Sequence, residues 1–206
     1  MTKLRMENGG PFSNDYLPVL LQQIAAGDQS AFGQVYNAFY GRLYRFALAM
    51  VRTKESAEEI VEDVFIKIWQ QRENAVSIQN LKVYLYTATK NTALNHLSRM
   101  AKESITEPFD HVHIWLDSTS ITPEQMMITS QMFRKIQEAV DALPPRCKII
   151  FKLVREDGLR YKEIAEILNI SVNTIDAQMA IAVKRIAAAV EAEFGFSLKK
   201  GQHSRK

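Results

Sequence analysis

Apolar residues in the first half of the chain recur at intervals of three and four. The first stripe follows Gly27 and consists of Phe32, Val35, Phe39, Leu43, Phe46 and Met50. The second consists of Ile60, Val61, Val64, Phe65, Ile68 and Trp69, and a narrower third of Leu81, Leu85, Ala88 and Thr92. Because this spacing places side chains on one face of an α-helix, it predicts a bundle of three helices. Ser56 is a candidate cap for the second helix, and 72–80 reads as a loop.

The helical pattern stops between residues 101 and 125. This segment contains two prolines, five acidic residues and one lysine, without a helical period. A structureless stretch of about 25 residues is unusual within one compact domain. We therefore expect two domains, 17–100 and 126–196, joined by an acidic linker. Residues 1–16 are expected to be a flexible lead-in and 197–206 a basic tail.

A second set of helices is predicted after the linker. One stripe consists of Met132, Ile136, Val140 and Leu143, and it ends at Pro144 and Pro145, before the helix RCKIIFKLVRE. A short helix over 160–168 is followed by a three-residue turn, 169–171. The final helix has the stripe Val172, Ile175, Met179, Val183, Ile186 and Val190. Two helices joined by so short a turn are typical of a helix-turn-helix, with Ser171 as the cap of the second helix.

Composition supports an all-α protein made of two small helical domains. Of the 206 residues, 47% are hydrophobic and 24% charged, which are ordinary globular proportions. One cysteine excludes an internal disulfide and fits a reducing, cytoplasmic setting. No apolar run approaches the roughly 20 residues of a membrane span. The net charge of +3 permits nucleic-acid binding without requiring it.

The outward face of the last helix carries side chains suited to double-stranded DNA. They are Asn173, Thr174, Ala177, Gln178, Ile181, Lys184 and Arg185. Amides and hydroxyls near the start of a recognition helix can reach base edges, and basic groups further along can hold phosphates. The alternative is a helical hairpin whose polar face meets only solvent.

The helix over 80–99 has a face suited to unpaired bases. Tyr84, Thr87, Asn91 and Asn95 recur along it, flanked by Tyr86, Lys90 and Arg99. Aromatic rings stack on bases, amides bind their edges, and cations hold the backbone, so single-stranded nucleic acid is a candidate ligand. The alternative is that the tyrosines are half-buried packing residues.

Four acidic residues crowd one face of the second helix, namely Glu58, Glu59, Glu62 and Asp63. Like charges at these spacings destabilise a helix, and a basic partner would relieve the cost. A solvated face is the plain alternative. A di-metal bundle needs Glu-x-x-His pairs, which the sequence lacks, so we expect no metal and no cofactor. Cys147 reads as a buried residue, and no catalytic motif is visible.

Together the segments resemble one family. GDQSAFGQVYNAFYGRLYRFAL, AEEIVEDVFIKIW and NLKVYLYTATKNTALNHLSR, then ALPPRCKIIFKLVREDGLRYKEIAEILNISVNTIDAQMAIAVKRI, resemble the extracytoplasmic-function (ECF) sigma factors of bacterial RNA polymerase. The resemblance covers residues 17 to about 190. It implies a protein that binds core polymerase and directs it to promoters, with region two of the family in the first domain and region four in the second.

The resemblance also implies roles for individual residues. Core-polymerase binding falls on Glu59, Glu62, Asp63 and Phe65. Recognition of the minus-ten element falls on Tyr84, Tyr86, Lys90, Asn91, Asn95 and Arg99, with 72–80 as the loop that captures a flipped base. Recognition of the minus-thirty-five element falls on Arg160, Asn173, Thr174, Gln178, Lys184 and Arg185.

Several positions depart from the family pattern. Glu62 stands where glutamine is usual, Tyr84 where tryptophan is commoner, and Thr87 where arginine is commoner. Asp176 and Ile181 stand where basic residues are common. Arg160 stands where a serine cap is common, and it is a candidate phosphate contact.

The sequence therefore predicts an alternative sigma factor that catalyses nothing itself. Its expected partners are core RNA polymerase, promoter DNA and an anti-sigma factor, often membrane-anchored in the family, that would compete with core polymerase. The free chain is expected to be a monomer. One alternative is a stand-alone helix-turn-helix regulator with 17–99 as a dimerisation or sensing domain. A more distant one is a nucleic-acid-modifying enzyme whose carboxylates hold a metal.

Overall fold

The computed structural model describes residues 17–103 and 126–195, and the secondary structure in these ranges is entirely helical. The helices are α1 (Leu17–Ala25), α2 (Gln29–Val51), α3 (Lys54–Gln70), a 3-10 helix (Arg72–Ser77), α4 (Leu81–Glu103), α5 (Met126–Asp141), α6 (Pro145–Arg155), α7 (Tyr161–Leu168) and α8 (Val172–Phe194). They form two compact units, with α1 to α4 in the first and α5 to α8 in the second. The all-α class with two helical domains is confirmed. The lead-in, most of the acidic linker and the basic tail lie outside the described residues, and the exact domain boundaries stay predictions.

In the first unit, α2, α3 and α4 pack on one another, and α1 lies against the 3-10 helix and α2. Helix α2 begins where the Asp28 carboxylate accepts hydrogen bonds from the backbone N–H groups of Ser30 (2.8 Å) and Ala31 (3.2 Å). It ends at Arg52, which adopts the left-handed conformation with φ of 69°. The predicted stripe of α2 is correct at its centre, since Val35, Phe39, Leu43 and Phe46 are buried.

Other details of the first unit differ from the sequence predictions. Helix α1 adds a fourth helix, and it buries Leu20, Leu21 and Ile24 although its apolar run covers barely two turns. Helix α3 begins at Lys54, so Ser56 lies inside the helix and does not cap it. The predicted loop over 72–80 contains the 3-10 helix. Short elements of this kind leave too few repeats for a period to be read.

The buried face of α4 is rotated from the predicted one. Leu81 and Leu85 are buried as expected, but Thr89 and Ala93 are fully buried where Ala88 and Thr92 were predicted. The Thr89 hydroxyl donates a hydrogen bond to the Leu85 carbonyl oxygen (2.9 Å). Because this bond satisfies the hydroxyl within the helix, a threonine can lie in the core at little cost.

The second unit is built around α8, which packs against α5, α6 and α7. The predicted stripe of α8 is correct at Ile175, Met179 and Val190, but Val172 and Val183 are 40% and 49% exposed. Ala182 takes the inner position instead, in a cluster with Val140, Leu143 and Cys147. Cys147 is buried as predicted. Its Sγ lies 3.2 Å from the Gln178 backbone oxygen, and burial raises the pKa of the thiol.

A lysine lies in the core of the second unit. Lys148 on α6 is 2% exposed, and its Nζ lies 3.5 Å from Oδ1 of Asp141, the last residue of α5. Burial lowers the pKa of Lys148, and the nearby Asp141 carboxylate offsets part of that effect. An ion pair of this kind contributes little net stability, because the cost of removing the lysine charge from water offsets the attraction to Asp141.

This lysine makes stability depend on pH. Since its pKa is lower in the folded than in the unfolded chain, the unfolded chain binds more protons between those two values, and folding becomes more favourable as the pH rises toward 10.5. We expect Lys148→Met to remove this contribution, so that the variant gains less stability than the wild type between neutral pH and pH 10.5. Urea unfolding across that range measures it, with exposed Lys162→Met as the control. Equal pH dependence of Lys148→Met and wild type would contradict the prediction.

Candidate nucleic-acid and protein-binding surfaces

Helix α3 presents an acidic face to solvent. Glu58, Glu59 and Glu62 are exposed, and Asp63 is partly so. Asp63 makes a 3.9 Å ion pair with Lys67, whose side chain is largely in water, so the pair contributes little stability. The face therefore combines at least three exposed carboxylates within two turns, an arrangement that suits a basic partner.

Phe65 does not belong to that exposed surface. It is 3% exposed, with its ring edge-on to Phe32 (centroids 6.1 Å apart) and tilted against Tyr36 (4.8 Å). Burial does not favour direct contact of Phe65 with polymerase, and its role in core-polymerase binding stays a prediction. The place of Phe65 in the apolar stripe explains its burial, since the stripe packs on α2. Phe65 instead fixes α3 on α2 and so orients the acidic face.

A row of tyrosines borders the acidic face, which the sequence reasoning missed. Tyr36, Tyr40 and Tyr44 lie on successive turns of α2 and are half-buried, with neighbouring ring centroids 5.0 and 6.4 Å apart. Burial raises the pKa of Tyr40, and Tyr36 and the Glu58 and Glu62 carboxylates add to the effect. Their four-residue spacing in the sequence predicts that the three tyrosines share one face of the helix.

The end of α3 is tied to the 3-10 helix by Arg72. Its guanidinium lies 5.2 Å from the centroid of the Trp69 ring and donates a hydrogen bond to the Trp69 carbonyl oxygen (3.1 Å). The indole also packs against Phe32 at 5.0 Å. The acidic helix and the following segment are thereby held together.

The solvent face of α4 carries most of the residues predicted to contact unpaired bases. Tyr84 is 39% exposed, Asn91, Asn95 and Arg99 are exposed, and Lys90 is half-buried. Thr87, which was expected on this face, is half-buried, and its hydroxyl finds no hydrogen-bond partner among the described residues.

Tyr86 lies on the opposite side of α4, in the core. It is 1% exposed, and its ring packs against Phe46 with the centroids 5.3 Å apart. Residues two apart on a helix point about 160° apart, so Tyr86 faces the core where Tyr84 faces solvent. Its role in recognition of the minus-ten element stays a prediction. Tyr86 thus fits the alternative of a packing residue, whereas Tyr84 is exposed, as a ring that stacks on a base must be.

A small pocket of about 70 Å³ lies where the 3-10 helix meets α4. Its polar lining comes from Gln71, Asn74, Ser77 and Tyr84, with Ile68, Ala75 and Ile78 as the apolar part. The Ser77 hydroxyl donates to the Asn74 carbonyl oxygen (2.7 Å), and the Asn80 side chain caps α4 by accepting from Val83 N–H (3.2 Å). The predicted base-capturing loop and Tyr84 thus share one concave surface.

The second unit contains the predicted helix-turn-helix. Helix α7 ends at Leu168, and Asn169 turns the chain in the left-handed conformation with φ of 54°. Ser171 caps α8 as expected, because its hydroxyl accepts from the Thr174 N–H (3.0 Å) and lies 2.8 Å from the Thr174 hydroxyl. The left-handed Asn169 and the Ser171 cap therefore set the direction in which α8 leaves the turn.

The outward face of α8 matches the sequence prediction at most positions. Asn173, Ala177, Ile181, Lys184 and Arg185 are exposed. Thr174 and Gln178 are half-buried rather than exposed, and the Thr174 hydroxyl already contacts the Ser171 hydroxyl in the helix cap.

Arg160 stands at the N-cap of α7, the position predicted for it. Its side chain makes no cap bond, but its backbone N–H donates to the Glu163 carboxylate (2.8 Å). Since Glu163 supplies the capping interaction, the exposed Arg160 guanidinium is not needed for it. This explains how an arginine can occupy a capping position.

In 17–103 and 126–195, no three His, Cys, Asp or Glu side chains are grouped so that they could hold a metal ion. Among the helices of the same ranges, none has the length and apolar character of a bilayer span.

Comparison with known proteins places both units in one family. The family model for Sigma-70 region 2 matches residues 35–103, and that for Sigma-70, region 4 matches 133–186. The ECF RNA polymerase sigma factor SigW of Bacillus subtilis is 22% identical over 166 residues, covering 77% of this chain and 88% of SigW. SigE of Mycolicibacterium smegmatis is 26% identical over 161 residues, covering 75% of this chain and 61% of SigE.

Solved structures share the fold. CnrH in complex with the cytosolic domain of CnrY is similar with a TM-score of 0.54 at 17% identity, covering 86% of this chain and 98% of that one. RpoE in complex with the anti-sigma factor NepR from Bartonella quintana is similar with a TM-score of 0.54 at 21% identity, covering 79% and 98%. With regions 2 and 4 in this order on one chain, and with ECF sigma factors as relatives over most of its length, the chain belongs to the sigma-70 family, in its ECF group.

Proposed function

We propose that this protein is an alternative sigma factor, which binds core RNA polymerase and directs it to promoters. The observation that carries the proposal is the presence of three such surfaces on one chain. The first unit joins an acidic face on α3 to an aromatic and amide face on α4, and the second unit presents a capped recognition helix. Phosphodiester chemistry then belongs to the polymerase, and the protein acts in the cytoplasm, where the polymerase works.

Transcription from a defined template tests the function as a whole. Core polymerase with the protein should initiate at promoters that core polymerase alone ignores, and the protein alone should bind those promoters weakly. A stand-alone helix-turn-helix regulator would instead bind the promoter tightly without polymerase. Tight binding by the protein alone, with no effect on initiation, would therefore favour that alternative.

Docking on core polymerase is assigned to the acidic face. The carboxylates of Glu59, Glu62 and Asp63 lie at least partly in water, so a basic surface can reach them without unfolding the unit. Phe65 contributes by holding α3 on α2. Complementary charge across such an interface gives specificity and fast association.

Charge reversal tests this assignment. We expect Glu59→Lys with Asp63→Lys to abolish capture of core polymerase, because two attractive contacts become repulsive while the exposed positions tolerate the change. The matched control is Glu156→Lys with Glu166→Lys, which changes the net charge equally at exposed sites of the second unit. Normal capture by the first variant, or equal loss in both, would refute the role of the face.

Melting of the minus-ten element is assigned to α4 and the adjoining pocket. Tyr84 can stack on an unpaired base, and Asn91 and Asn95 can bind base edges further along the same face. The polar lining of the pocket offers hydrogen-bond partners to a base turned out of the duplex. Tyr86 acts indirectly, by fixing α4 on α2.

Substitution of Tyr84 separates stacking from hydrogen bonding. We expect Tyr84→Ala to reduce formation of the open promoter complex by roughly 5- to 150-fold, since stacking on one base is worth about 1 to 3 kcal/mol. Tyr84→Trp should retain it, because the ring is kept. Permanganate footprinting of unpaired thymines measures opening, and Phe133→Ala, which removes an exposed ring from the other unit, is the control. Unchanged opening in Tyr84→Ala would exclude a stacking role.

Reading of the minus-thirty-five element is assigned to α8. Lys184 and Arg185 are exposed beyond the middle of the helix and suit phosphates, whereas Asn173 is exposed at its start and suits a base edge. Gln178, half-buried, can contribute through its amide, and Arg160 offers a further phosphate contact from α7. The main role of Thr174 is in the cap at the start of α8.

Two kinds of substitution should behave differently. Replacing Lys184 and Arg185 by alanine should weaken binding to all sequences alike and flatten its salt dependence, because phosphate contacts carry no sequence information. Replacing Asn173 or Gln178 by alanine should change the preferred sequence. Selection from a randomised promoter library with the reconstituted holoenzyme measures both. If the Asn173 and Gln178 variants kept the wild-type sequence preference, these residues would not be the ones that recognise the bases.

Regulation by an anti-sigma factor is also proposed. The two similar solved structures are complexes, one of them with a protein named as an anti-sigma factor and the other with the cytosolic domain of CnrY. In this chain the acidic face and the recognition helix are both open to solvent, so a small partner domain could cover either. The free chain is expected to be a monomer.

Competition tests this regulation. We expect the cytoplasmic domain of a cognate anti-sigma factor to displace core polymerase, since one acidic face cannot serve two partners at once. Titrating the domain into the preformed holoenzyme and measuring released sigma factor by size-exclusion chromatography gives the result. Simultaneous binding of both partners at saturation would contradict occlusion of a shared surface.

A further inference from the structure

The centre of the outward face of α8 is apolar. Ile181 is 41% exposed, and Ala177 is exposed one turn before it. Asn173 precedes them and Lys184 follows on the same side of the helix, at about 100° per residue. A short apolar patch therefore lies between a group suited to base edges and a group suited to phosphates.

This patch is not part of the packing of the second unit. The core side of α8 is formed by Ile175, Met179 and Ala182, which are buried. Ile181 points about 120° away from Ile175 and about 160° away from Met179 around the helix. The exposed part of the Ile181 side chain does not stabilise the free protein, since apolar surface contributes favourably only when it is removed from water.

The major groove offers one apolar group on its base edges, the 5-methyl group of thymine. A helix that lies in the groove brings its central outward residues closest to the bases. The methyl side chain of Ala177 allows a close approach, and the longer Ile181 side chain can reach a methyl group beside it. Basic residues one turn further on would hold the phosphates that flank this contact.

We propose that Ala177 and Ile181 form an apolar contact with a thymine methyl group in the upstream promoter element, and that Ile181 sets a preference for thymine at that position. The inference rests on the proposed function, and it adds a readout by shape and apolar contact to the hydrogen bonds expected of Asn173 and Gln178. It also gives a role to a residue that stands where basic ones are common in the family.

Deoxyuridine provides the test, because it differs from thymidine only in lacking the methyl group. Upstream elements are first selected from a randomised duplex library with the reconstituted holoenzyme, and each selected thymine is then replaced by deoxyuridine in turn. Loss of one buried methyl group corresponds to about a fourfold weaker affinity. We expect this loss at one position with wild type and none there with Ile181→Ala.

Val183→Ala is the matched control. Val183 is 49% exposed but points about 160° away from Ile181 around the helix, so the variant should keep the wild-type loss at that position. Thermal unfolding by circular dichroism checks that Ile181→Ala is folded, as its exposure leads us to expect. Ala177→Leu should lower affinity for all sequences, because its bulk holds the helix away from the bases.

Three results would overturn the inference: no thymine preference in the selected elements, no loss with deoxyuridine, or the same loss in wild type and Ile181→Ala. Weaker capture of core polymerase by Ile181→Ala, with thymine preference intact, would also overturn it in favour of a protein contact. All four of these results require a holoenzyme that initiates transcription at the selected promoters. Failure to initiate at any promoter would count against the proposed function instead.

Discussion

Aromatic packing between α2 and the helices on either side of it supports both surfaces of the first unit. Phe65 locks α3 against Phe32 and Tyr36, and Tyr86 locks α4 against Phe46. Each of these rings lies on the reverse side of a helix whose outer face carries the charged or amide groups. The buried rings thus orient the exposed groups on the opposite side of each helix. Loss of either ring would displace an exposed face to which the ring itself does not belong.

The second unit applies the same division of a helix to α8. Ile175, Met179 and Ala182 face the core, and the side chains suited to DNA lie opposite. The turn from α7 sets the direction of α8 through Asn169 and the Ser171 cap. Thr174, which was predicted to contact DNA, takes part in this cap. Its backbone N–H and hydroxyl therefore stabilise the start of α8, whether or not the side chain also contacts DNA.

Sequence patterns predicted the long helices, the turn at 169–171 and the exposed charges, because these follow from local spacing. They failed where two arrangements have similar composition. In α8 the alanines make Ala182 and Val183 equally plausible as core residues, and only packing against α5 and α6 decides. Likewise Phe65 and Tyr86 belong to family motifs, but a motif position does not say whether a side chain acts by contact or by support.

The acidic face of α3 has a kinetic consequence. Its exposed carboxylates create a local negative potential that extends into solvent over about one Debye length, roughly 8 Å at physiological ionic strength. Glu62 strengthens that potential at the centre of the face. A positively charged partner would be steered toward α3 before any contact forms, so its encounter rate should fall as salt is added while the lifetime of the formed complex changes much less.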